Sequence, residues 1–152
     1  MQPRFNAMAA DPAAYRAMAE MERYLHQTSL ERPLIHLVKL YASVINHCAY
    51  CIDMHWKDLR ALGEPEQRLY GLPAWKESPY YTDRERAAFA WTEALTVITD
   101  GFVSDEVYES VRPHFTDKEL TELSMAIIII NAWNRLAISS RSTAGTYQPK
   151  QA

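Results

Sequence analysis

Signals that start and stop helices recur along this chain, with no alternating strand pattern between them, and this restricts it to a helical fold. Asp11 precedes Pro12, the arrangement of an N-cap followed by a first-turn proline. Thr28 with Glu31, Thr82 with Glu85, and Thr116 with Glu119 have the spacing of capping boxes, in which each partner satisfies a backbone N–H of the other. Gly63 before Pro65, Gly71 before Pro73, and Gly101 mark the stops. Between these marks the apolar residues return at helical spacing, which predicts helices at roughly 12–26, 32–46, 48–62, 65–71, 83–99, 104–111 and 117–139. The expected fold is therefore all-α. A length of 152 residues suits a single domain, 1–152, with a polar, loose tail from about 140 on which Tyr147 and Pro149 are candidates for docking.

A chain of this size buries enough apolar surface to fold without a disulfide or a metal staple. The formal charge is −3, and no Lys/Arg cluster has the density of a nucleic-acid or acidic-membrane footprint, so neither partner is expected. The longest apolar run, Met125 to Ile130, is six residues long and too short to cross a bilayer, and MQPRFNAMAAD lacks the apolar core of a secretory signal. A cytoplasmic location is the expectation. The chain's two cysteines would stay reduced there, which turns attention from structure to chemistry.

Both cysteines fall in INHCAYCIDMH. If Asn46 caps the helix that follows, Cys48, Cys51 and His55 occupy one face at i, i+3 and i+7, continued by Leu59 and Leu62. Two Cα atoms at that spacing lie about 5–6 Å apart, close enough for a reversible disulfide. Cys48 has the better claim on the positive helix terminus, while Cys51 has a histidine at i+4. A histidine also moves protons, so Cys51 is the favoured nucleophile. Two other readings remain open. The cysteines could be small buried hydrophobes, or Cys48, Cys51 and His55 could ligate zinc with His36 or His47 as the fourth ligand. The remaining histidines, His26 and His114, read as surface residues. Tyr50 reads as packing, Trp56, Trp75, Trp91 and Trp133 as core or interface anchors, and Lys57, Asp58 and Arg60 as a solvated helix face.

CAYCIDMH, a CxxC with a histidine after three further residues, resembles the AhpD-like alkylhydroperoxidases of the carboxymuconolactone decarboxylase superfamily. The likeness extends through LVKLYASVIN, KDLRALGE, WKESPYYTDRERAAFAWTEALT and INAWNRLA. It implies an all-helical, homo-oligomeric protein, a trimer or hexamer, with peroxidase activity and no cofactor. It further implies Cys51 as the attacking thiol, Cys48 as the resolving thiol and His55 in a proton relay. A hydroperoxide would be the substrate, and an external dithiol, thioredoxin-like or lipoyl-type, the reductant. Relatives carry a glutamate twelve residues before the first cysteine, and His36 stands at that place here. Val44, Tyr41 and His47 also replace residues common in the family, namely glutamine, arginine and glycine. The family's decarboxylases generally lack the CxxC pair, which points to the peroxidase branch. The competing expectation is a zinc-binding or redox-responsive oligomeric module that turns nothing over.

Overall fold

The computed structural model describes residues 2–149, and the described residues form helices with no strand among them. Eight α-helices follow in chain order: α1 (Ala7–Ala10), α2 (Pro12–Leu25), α3 (Arg32–Ile45), α4 (Ala49–Ala61), α5 (Glu66–Tyr70), α6 (Asp83–Thr96), α7 (Asp105–Val111) and α8 (Asp117–Ser140). Short 3₁₀ turns occupy Leu72–Ala74 and Arg112–His114. The all-α expectation and its seven helices are met. The short α1, capped by Asn6, and the two 3₁₀ turns were not anticipated.

Local chemistry explains most helix starts. The Asp11 side chain accepts from the backbone N–H groups of Ala13 and Ala14, and Thr82–Glu85 and Thr116–Glu119 form complete capping boxes. The Thr28–Glu31 box does not form. Thr28 donates its hydroxyl to the Leu25 carbonyl and Glu31 turns outward to Arg84, so α3 begins without a side-chain cap. Gly63 and Gly101 adopt positive φ, as turn glycines do, but α6 ends at Thr96, ahead of Gly101.

α3 is the hub, packing on α4, α6 and α8, while α2 lies along α8. One cluster gathers Leu34, Val38, Ala88, Trp91, Leu123 and Ile127 between α3, α6 and α8. A second centres on Phe89, whose ring meets Tyr41, Trp75 and Tyr81 edge to face. A third, smaller cluster joins Ala42, Cys48, Cys51 and Ile130. α8 has the length and composition to cross a membrane, yet Ile127, Ile129 and Ile130 are buried within this domain while Ile128 faces out.

Candidate active site

The α3–α4 corner sets the position of the sulfurs. Asn46 is the C-cap of α3, and His47 takes a left-handed φ of 56°. The N-cap of α4 is therefore Cys48 itself, two residues later than the sequence suggested. Asn46 keeps helical dihedrals as the end of α3, and its amide nitrogen donates to the side-chain oxygens of Asn131 and Asn134, which ties its side chain to α8. Asn134 in turn donates to Ser43, which closes a buried amide–hydroxyl network beneath the corner.

Cys48 and Cys51 are both free thiols, fully buried and 2.6 Å apart. His55 follows on the same face and is also buried. Burial alone would raise both thiol pKa values. Cys48 is nevertheless lowered from 9.0 to about 7, first because the Cys51 thiol donates to it. The backbone N–H groups of Cys51 and Tyr50 at the head of α4, together with the Asn134 amide, add to the effect. Cys51 moves up, since its proton is the one shared with Cys48 and it faces that neighbour's charge. The pair thus favours a single negative charge, resting on Cys48.

Access points the other way. A cavity of about 420 Å³ is lined by Cys51 and His55 but not by Cys48. Tyr15, Tyr50, Met54, Leu62 and Trp133 give it apolar walls, and Tyr147 and Pro149 of the tail form part of its border. The tail is fastened to α4: Lys57 donates to the carbonyls of Gly145 and Tyr147, Asp53 accepts from the Gly145 N–H, and the Tyr147 hydroxyl donates to Asp58 at 2.7 Å.

His36, at the position of the family glutamate, reaches the site from α3. Its Nδ1 lies 3.4 Å from Nδ1 of His55, and Asp58 Oδ2 lies 3.8 Å and 3.7 Å from these two nitrogens. Burial, reinforced by Lys39, Arg32 and His26, lowers the His36 pKa to about 4. Burial, with Lys39 and His36, lowers that of His55. Both rings are neutral near pH 7. Lys39 is itself buried and ion-paired with Glu22. Among the described residues the His55 Nε2 has no hydrogen-bond partner, and none of their hydrogen bonds joins this ring to either thiol.

The structure therefore brings Cys48, Cys51, His55 and His36 to one region, and leaves His47 exposed outside the cavity lining. Lys57 and Asp58 are not the solvated face the sequence suggested. Asp58 is half-buried between the two imidazoles and Tyr147. The available signal was its i+3 spacing from His55.

The profile of the carboxymuconolactone decarboxylase family matches residues 12–94. The uncharacterised protein YdfG of Bacillus subtilis is 38% identical over 146 residues, covering 96% of this chain and 99% of its own. A crystal structure of an Agrobacterium tumefaciens protein of unknown function, provisionally named as the antioxidant-defence protein AhpD, is 41% identical. It superposes with a TM-score of 0.93, covering 96% of this chain and all of its own. The debrominase Bmp8 is 16% identical with a TM-score of 0.82, over 91% of this chain and 75% of its own, a likeness of fold alone.

Proposed function

Since this chain belongs to the carboxymuconolactone decarboxylase family and is AhpD-like within it, we propose that it is a thiol-dependent peroxidase working through Cys48 and Cys51. The observation that carries this reading is the order of groups: cavity, then Cys51, then Cys48 directly behind it. A substrate in the cavity meets Cys51, and the sulfur that must later close on Cys51 is already in contact.

In the first step Cys51 passes its proton to the Cys48 thiolate and attacks the terminal oxygen of a hydroperoxide. The O–O bond breaks, leaving Cys51 as a sulfenic acid and the substrate as an alkoxide. The alkoxide takes up a proton through the His55–His36 pair, whose outer member is partly exposed. Cys48 then attacks the Cys51 sulfur, forming the disulfide and releasing water. An external dithiol, thioredoxin-like or lipoyl-type, restores both thiols by exchange. Neutral imidazoles suit this task, because each can accept a proton on one nitrogen and release one from the other. The apolar walls favour an organic hydroperoxide over hydrogen peroxide.

Cys51→Ser removes the attacking sulfur, and peroxide consumption with a generic dithiol should fall to background. Full turnover in that variant rejects the assignment. In the same reading the chain works in the cytoplasm as a homotrimer or homohexamer, supported by the exposed apolar side chains of Val97, Ile98, Phe102 and Ile128. Light scattering that returns a monomer overturns the assembly.

A further inference from the structure

Three lone-pair-bearing atoms converge at one wall of the cavity: Nδ1 of His36, Nδ1 of His55 and Oδ2 of Asp58. Their separations are 3.4, 3.7 and 3.8 Å. Only the shortest is within hydrogen-bond reach, so a single proton can bridge the two rings while the carboxylate oxygen stands off from both. Each of the three can turn a lone pair to the same point, so the group is rich in acceptors and poor in donors. A cation resolves this.

We propose that His36, His55 and Asp58 form a divalent-metal site of the zinc class, with two imidazoles and one carboxylate as ligands and a fourth position open to the cavity. The spacing selects the metal. A triangle with these sides has its centre about 2.1 Å from each corner, the length of Zn–N and Zn–O bonds. Tetrahedral bonds of that length separate donors by about 3.4 Å, so the site needs to close by only a few tenths of an ångström. An octahedral ion with similar bonds wants donors about 3.0 Å apart and fits less well.

One supporting residue has the form expected of an outer shell. Tyr147 donates to Oδ1 of Asp58, which orients the carboxylate and leaves Oδ2 for the metal. The nearest buried cation, Lys39, is already paired with Glu22. The cysteines are outside this group. The site is therefore distinct from a thiolate clip at Cys48 and Cys51, and it does not depend on the peroxidase reading. Where both hold, an ion on His36 and His55 withdraws them from proton transfer and suppresses turnover.

The test is calorimetric titration of Zn²⁺ into untagged, chelator-treated protein, repeated with Co²⁺ for its absorption spectrum. One equivalent should bind per chain, with a tetrahedral cobalt spectrum free of thiolate charge-transfer bands. The Cys48→Ser/Cys51→Ser double variant should bind as the parent does. His36→Gln and Asp58→Asn should each weaken binding at least roughly tenfold, and Tyr147→Phe, which leaves all three ligands in place, by roughly 10–100-fold. Absence of saturable binding, unchanged affinity in His36→Gln and Asp58→Asn, or loss of binding in the cysteine double variant overturns the site. Suppression by Zn²⁺ of dithiol-driven peroxide consumption is a separate readout, and its absence bears on the relay alone.

Discussion

Cys48 holds an unusual post for a sulfur, since it stands at the N-cap position of α4, where the backbone N–H groups of Cys51 and Tyr50 and the Asn134 amide of α8 favour its thiolate. Replacing Asn134 with alanine removes one of these donors. The pH midpoint of alkylation of the thiol pair should then rise above about 7, with circular dichroism confirming the fold. A midpoint that stays in place would mean the amide does not stabilise the thiolate. The face shared by Cys48, Cys51 and His55 was legible from spacing alone. The exact seat of Cys48 was not, because Asn46 stays at the end of α3 with its side chain tied to Asn131 and Asn134, more than eighty residues along the chain. Asp58 was misread for the same reason. Its partners are a tyrosine in the tail and a histidine on α3, and no local pattern encodes either.

At the level of elements, short-range rules placed two of the three capping boxes, even where an arginine also engaged the glutamate. Thr82–Glu85 and Thr116–Glu119 formed as spaced, whereas Thr28 gives its hydroxyl to the Leu25 carbonyl and α3 begins only at Arg32, with Glu31 itself at the cap position. Thr116→Ala should cost about 1 kcal/mol of stability by urea denaturation. It should also move the Glu119 carboxyl slightly up from about 2, since the Thr116 hydroxyl is one of the donors that lower it, after the Thr116 backbone N–H, which the variant keeps, and Arg84. The tail is a different kind of element, held by Lys57, Asp53 and Asp58 and by no helix of its own. Truncation after Thr143 should leave the helices intact by circular dichroism and speed alkylation of Cys51 several-fold. An unchanged rate would mean the tail does not limit entry.

The molecule as a whole should carry a pH signature written by its histidines. His36 has a pKa of about 4 when folded against 6.5 ordinarily, so between these values the unfolded chain binds more protons. Stability is then complete above pH 6.5 and declines as the pH falls towards 4, by about 3 kcal/mol for this one side chain. His55 acts in the same direction. Urea midpoints measured from pH 7 to pH 4.5 should fall accordingly, and His36→Gln should flatten the slope; an equal slope in the variant would assign the acid sensitivity elsewhere. The global architecture was readable because seven helices announce their own ends, but the packing of α8 was visible only as an excess of isoleucine. That helix turns Asn131 and Asn134 towards the sulfur corner and Ile128 and Ile138 towards solvent. Anything that leans on the outer flank of this rod presses, across a single helix diameter of about 10 Å, on the amides that steady the thiolate, so crowding at a distant surface would be felt in sulfur reactivity.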